Sequence, residues 1–126
     1  MDENTNSLNW FEIPVNNISR AKSFYQKIFG IVMDDMDMNE TRLAFFPWSP
    51  GSGKANGTLV QHRDYKPSKE GCLIYLNANP ALNIILDKVE KAGGKVIMSK
   101  TSIGDHGYIA YFLDTEGNKI GLHSNG

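Results

Sequence analysis

The chain opens on an alternation of apolar and polar positions, Trp10-Phe11-Glu12-Ile13-Pro14-Val15. Side chains along a strand point to opposite faces in turn, so Phe11, Ile13 and Val15 share one face and Trp10, Glu12 and Pro14 the other. The period then changes. Asn16-Asn17 supply N-cap chemistry, and Ile18, Ala21, Tyr25 and Ile28 recur at steps of three, four and three. That is the apolar stripe of a helix packed on a sheet, and Gly30 stands where a glycine ends it. Residues 31–38, 41–48 and 57–63 read as three further strands, with 49–56 a flexible glycine-rich loop.

A charged linker, 64–70, carries Pro67, and after it the same order returns. Residues 72–77 form an apolar strand, and Asn79-Pro80 opens a helix with proline near its first turn. Ala81, Ile84, Ile85, Lys88, Val89 and Ala92 give that helix its stripe, and Gly93-Gly94 closes it. Strands follow at 95–98, 107–113 and 118–123, with turns at 102–106 and 114–117. Val15 and Ala78, Asn16 and Asn79, and Gly30 and Gly93 are each 63 residues apart. Strand, cap and helix stop therefore recur in register, the mark of an internal duplication. The pattern predicts an α+β fold of two β-α-β-β-β units, about 9–63 and 71–124, within one domain spanning 1–126. Neither unit can cover its own curved sheet, so the two must close on each other or on a second chain.

Composition narrows the function classes. The 126 residues are 40% hydrophobic and 21% charged, with 13 Lys+Arg against 14 Asp+Glu. A chain of this size buries roughly two-thirds of its unfolded surface, enough for a core. The net charge of −1 with no basic block gives no electrostatic case for nucleic acid. No apolar run approaches the ~18 residues of a membrane span. The polar, acidic start lacks the features of a signal peptide, and the single cysteine, Cys72, excludes an internal disulfide. The expectation is a cytoplasmic protein, with Cys72 as a small buried residue. Gly51-Ser52-Gly53-Lys54 lacks the spacing of a phosphate-binding loop.

The run Val-Asn-Asn-Ile-Ser-Arg-Ala-Lys-Ser-Phe-Tyr-Gln-Lys-Ile-Phe-Gly, from Val15 to Gly30, resembles the helix-leading signature of the vicinal oxygen chelate superfamily. This is the group of glyoxalase I, bleomycin-resistance proteins and extradiol dioxygenases. The close, Asp114-Thr115-Glu116-Gly117-Asn118-Lys119-Ile120, is similar to its Asp-Pro-x-Gly-Asn pattern. The segments Trp-Phe-Glu-Ile-Pro-Val and Ile-Gly-Leu-His-Ser point to the glyoxalase-like branch. Phe24 and Tyr25 read as helix-to-sheet packing, and Asp114 and Asn118 as a tight turn whose side chains satisfy backbone N–H groups.

The resemblance implies a half-barrel or barrel with its helices outside, commonly in a homodimer. It also implies one divalent ion, held by His, Glu or Gln from the first and last strands of each unit. Carried onto this chain, the first-strand ligand positions are Trp10 and Leu73, and a last-strand position is Gly121. None of these three offers a ligand side chain to a hard cation. The fourth is expected within 59–63, where Gln61 or His62 is available. The expectation is therefore a protein without a functional metal or other cofactor.

Alternation puts Trp10, Glu12, Tyr75, Asn77, Gly121 and His123 toward the cavity. Trp48 and Tyr108 are expected as further aromatic walls, and Gln61 as a hydrogen-bonding group. Gly121 is expected to leave room where the superfamily has a carboxylate. Glu12 and His123 form the catalytic candidate, since a carboxylate within reach of an imidazole tunes it for acid–base work near neutral pH. The leading expectation is a binder of a small metabolite. The alternatives are a lyase, isomerase or dioxygenase-like enzyme with a displaced metal site or a metal-free Glu/His pair, and a structural module whose cavity is filled.

Overall fold

The protein is described by a computed structural model covering Met1–Gly126. The opening alternation forms β1 (Trp10–Pro14), and the apolar stripe forms α1 (Ile18–Phe29). Asn17 caps α1 by accepting the Arg20 N–H at 3.0 Å. Gly30 ends it in the left-handed conformation, φ 64°, where a side chain would be strained. Ile18, Ala21, Phe24, Tyr25 and Ile28 are all buried, as the stripe requires. Three strands complete the unit: β2 (Asp34–Met38), β3 (Thr41–Phe45) and β4 (Asn56–Gln61). The second unit comprises β5 (Tyr75–Asn77), α2 (Asn83–Val89), β6 (Lys95–Ser102), β7 (Tyr108–Leu113) and β8 (Lys119–Ser124).

Each unit makes one four-stranded mixed sheet, ordered β1-β4-β3-β2 in the first and β5-β8-β7-β6 in the second. The first strand of each unit runs parallel to the last, and the other pairings are antiparallel. The fold is thus α+β, with paired β-α-β-β-β units. One core of 20 buried residues joins the helices to the inner sheet faces, from Ile13 and Val15 through Tyr25 and Leu59 to Phe112 and Leu122.

The duplication is visible bond by bond. The Val15 N–H donates to the Val60 carbonyl, and 63 residues on the Ala78 N–H donates to the His123 carbonyl, both at 2.8 Å. Gln61 Oε1 accepts the Ile18 N–H at 2.7 Å, and Ser124 Oγ accepts the Leu82 N–H at 3.0 Å. In each unit the end of the last strand thus satisfies an N–H at the start of the helical segment, groups with no partner inside a helix.

The Asp114–Asn118 turn ties the two units together. Asp114 Oδ1 accepts the N–H groups of Glu116 and Asn118, both at 2.9 Å. Its other oxygen accepts the buried Tyr25 hydroxyl at 2.8 Å and the Asn118 amide at 3.0 Å. Asn118 also donates to the Pro14 carbonyl at 2.7 Å. Glu116 reaches the start of α1, accepting the N–H groups of Asn16 and Asn17 and pairing with Arg20 at 2.7 Å. These motif residues hold the fold, as the sequence reading expects.

Several boundaries differ from the sequence reading. Residues 31–33 and 46–48 lie outside strands, because the hairpin of β2 and β3 pairs only Asp34–Phe45 through Met38–Thr41. β6 runs to Ser102, with register shifts that let it follow β7 past Met98. The Asn79–Pro80 peptide is cis and α2 starts only at Asn83, so Pro80 precedes the helix instead of occupying its first turn. Cys72 is exposed, since the paired part of its segment begins at Tyr75. No helix is long and apolar enough to cross a membrane.

Candidate functional site

Register assigns every strand residue to a face. In the second unit Tyr75 aligns with Gly121 and Asn77 with His123, while Tyr111 and Ile109 align with the same two β8 positions from the other side. These side chains share the face turned away from the helices. Beside them opens a cleft of about 550 Å³ lined by Tyr75, Asn77, Ile103, Ile109 and His123 among others. Two isoleucines supply an apolar wall, and the remaining named groups each offer a polar atom.

The polar atoms have defined roles. The Asn77 side-chain oxygen accepts the Asn79 N–H at 2.9 Å, which leaves its amide nitrogen to donate. His123 Nε2 lies 2.6 Å from the His106 carbonyl, an atom that can only accept. Nε2 therefore carries a hydrogen, and in the neutral ring Nδ1 is the acceptor. Tyr75 and Tyr111 bring their hydroxyl oxygens to 3.0 Å. In such a pair one hydroxyl donates to the other, and one O–H remains to donate outward. The hydrogen bond to Tyr111, then partial burial, push the Tyr75 pKa up to about 12, so the Tyr75 hydroxyl keeps its proton through the physiological range. Lys119 places its ammonium 4.5 Å from the Tyr111 ring centre.

Gly121 does not leave an open space. A Cβ built there would meet Tyr75 Cδ1 at 2.5 Å, because the Tyr75 ring lies directly across the glycine. The missing side chain makes room for the phenol of the neighbouring strand, an aromatic-over-glycine pairing that recurs at Phe11 and Gly57.

The other expected site residues divide into three groups. Trp10 and Trp48 do come together, edge to face at 6.1 Å, and Phe45 joins them at 5.8 Å from Trp10. They form an aromatic corner on the first unit's outer face, with Trp10 41% and Trp48 47% exposed. Gln61 and Tyr108 are turned the other way. Gln61 shares the face of buried Leu59 and is committed to Ile18 N–H. Tyr108 aligns with buried Ser124 and packs against the core, with the Lys100 ammonium 4.3 Å from its ring. Tyr111 joins the site unannounced by its own strand, although β7 and β8 leave their turn at Leu113 and Lys119, so equal steps reach Tyr111 opposite Gly121. Glu12 and His123, finally, line different clefts, one in each unit.

The geometry also locates the four positions at which the superfamily holds its ion. Gly121 aligns with Tyr75, and the residues 63 earlier, Thr58 and Glu12, align in the same way. The fourth position is thus Thr58, not Gln61 or His62. Trp10, Thr58, Leu73 and Gly121 include no imidazole, thiolate or carboxylate, and no group of three His, Cys, Asp or Glu side chains is placed to hold a metal. This donor set does not fit a hard divalent ion.

Comparison with known proteins gives the class of this chain. The family described as the Glyoxalase/Bleomycin resistance protein/Dioxygenase superfamily matches residues 7–122. The protein belongs to this superfamily. A "Glyoxylase-like domain-containing protein" of Didymella fabae is 30% identical over 111 residues, covering 85% of this chain and 84% of its own. "Putative glyoxylase CFP32" of Mycobacterium bovis is also 30% identical, over 125 residues that span 90% of this chain but 44% of the relative. The chain thus spans just under half the length of that relative. Among solved structures, a glyoxalase/bleomycin resistance protein/dioxygenase family enzyme from Burkholderia phytofirmans superposes with a TM-score of 0.68 at 19% identity, covering 96% of this chain and all of the other.

Proposed function

We propose that the second unit's cleft binds a small metabolite with an apolar body and an oxygen-bearing end. The ligand oxygen accepts the Tyr75 O–H, whose oxygen in turn accepts from the Tyr111 hydroxyl behind it, without a metal ion. The observation that carries this reading is the Tyr75 ring lying across Gly121, with its hydroxyl 3.0 Å from that of Tyr111. Where the superfamily sets a carboxylate toward its ion, this chain sets a neutral phenol pair. Ile103 and Ile109 face the apolar body, and the Asn77 amide and His123 Nδ1 fix orientation. An apolar cleft with a few convergent polar groups is the usual form of a small-molecule site. The division of Glu12 and His123 between two clefts argues against their acting as one catalytic pair.

A homodimer is the second part of the proposal. Trp10 and Trp48, packed edge to face beside Phe45, are each more than 40% exposed on the first sheet, an aromatic surface of the kind that marks an interface.

Acetophenone, which has an aryl body and a carbonyl acceptor, is a suitable probe. Titrated into 15N-labelled protein with excess EDTA, it is expected to shift amide signals of Ile103, Ile109 and His123. Tyr75→Phe is expected to weaken binding about tenfold, the loss of roughly one hydrogen bond. Binding that needs an added divalent ion, or shifts confined to other residues, overturns the reading.

A further inference from the structure

The duplication sets a second cleft at the matching place in the first unit. Its volume is about 570 Å³, and its lining includes Glu12, Met38, Leu43, Val60, His62 and Tyr65. Glu12 stands 63 residues before Tyr75 and Val60 stands 63 before His123, so the two clefts are structural counterparts. Their chemistry differs. The second unit presents neutral phenols and isoleucines, whereas the first presents a carboxylate beside apolar, aromatic and imidazole groups.

We infer that the first unit's cleft is a site for a small molecule carrying an organic ammonium on an apolar body, with Glu12 as its counter-charge. Glu12 belongs to none of the chain's lysine or arginine ion pairs, which are Arg20–Glu116, Lys22–Asp35, Arg42–Asp37 and Arg63–Glu40. No lysine or arginine lines the cleft. Lys66 and Lys119 line a separate cleft on the seam between the units, which Glu12 also borders, and neither reaches within ion-pair distance of it. The other acid of the cleft, Glu40, is drawn to Arg63 at 3.5 Å. Glu12 is therefore the one carboxylate in the cleft without a partner.

The lining of the cleft defines the ligand further. Met38, Leu43 and Val60 give an apolar floor for the body of the molecule. The Tyr65 ring, 44% exposed and 5.1 Å from the His62 ring, offers a π face to a cation. His62 Nδ1 accepts the Asp64 N–H at 3.1 Å, so Nε2 carries the hydrogen and donates to a ligand oxygen. Thr58 aligns with Glu12 on the same sheet face but is fully buried and does not line the cleft.

The test compares 2-phenylethylamine with its neutral counterpart 2-phenylethanol by calorimetry on the full chain. The amine is expected to bind at least about tenfold more tightly, with amide shifts at Leu43, His62 and Tyr65. Glu12→Gln, an isosteric change at an exposed position, is expected to remove the difference and leave the affinity for the alcohol unchanged. Tyr65→Leu is expected to weaken the amine by a smaller factor, and Tyr75→Phe to leave it unaltered. Equal affinities, absence of binding by both compounds, or a preference that survives Glu12→Gln overturns the inference. A preference lost in Tyr75→Phe, with shifts at Ile103 and Ile109, also overturns it and moves the amine to the other cleft. The acetophenone titration addresses that second cleft separately, so either result stands without the other.

Discussion

Glu116 and Tyr75 show how far a single side chain can be bound to its neighbours. Burial opposes ionisation of Glu116, yet the Arg20 guanidinium, the N–H groups of Asn17 and Asn16 and the Thr115 hydroxyl together hold its pKa below the usual carboxylate value. A carboxylate whose folded pKa is lowered stabilises the fold above its unfolded pKa, and that contribution is lost as pH falls through the folded value. Glu116→Gln is therefore expected to lower the thermal midpoint by several degrees at pH 7. The gap between wild type and variant should close as the pH falls below the usual carboxylate range and through the lowered pKa of Glu116. Asp114 shifts the opposite way, raised by burial against its hydrogen bonds, but it is present in both proteins and cancels in the comparison. For Tyr75 the sign is also fixed. A phenol whose folded pKa is raised stabilises below the unfolded value near 10, and the contribution is lost as pH rises through about 12. Tyr111→Phe removes the first cause of that shift, so ultraviolet titration should find Tyr75 ionising closer to 10.

At the scale of elements, what could be read from the chain follows from which interactions are local. The alternation in β1 and the stripe of α1 depend on neighbours a few residues apart, and both take the faces their patterns predict. The facing of Tyr108 and Gln61 depends on cross-strand register, which no single strand encodes. The turn at 114–118 did encode it for β7, because Leu113 and Lys119 flank it and the pairing steps outward from there. The space over Gly121 is filled, not open, for a related reason. A glycine shows where a side chain is absent, while the residue entering that space comes from a strand 46 positions earlier, at Tyr75. Gly121→Ala should therefore overpack the pair, cost about 1–3 kcal/mol in denaturant unfolding and displace the Tyr75 ring. Acetophenone affinity should fall with it. An alanine variant with unchanged stability and unchanged tyrosine titration would remove the aromatic-over-glycine account.

For the whole molecule, the 63-residue repeat was the most legible feature, because it recurs in strand, cap and helix stop together. It carried the class of fold, and the match across residues 7–122 agrees with it. The repeat says little about function, since the two units have diverged where it matters: Glu12 against Tyr75, Thr58 against Gly121, Val60 against His123. One scaffold thus presents two clefts of different polarity. The exposed aromatic corner of Trp10 and Trp48 belongs to this scale too. Sedimentation velocity is expected to give a dimer, and Trp10→Ser with Trp48→Ser to shift it toward monomer. A wild-type chain that sediments as a monomer at all concentrations contradicts the dimer.

The central claim is that a phenol pair has replaced the ion at the superfamily's usual place. Elemental analysis tests this most directly, on purified, untagged protein equilibrated with Ni, Zn, Mn and Fe(II) and freed of unbound ion. The account predicts retention far below one metal per chain, with acetophenone binding unchanged by the treatment. Near-stoichiometric retention of one ion, lost on Tyr75→Phe or on substitution of His123, would contradict it.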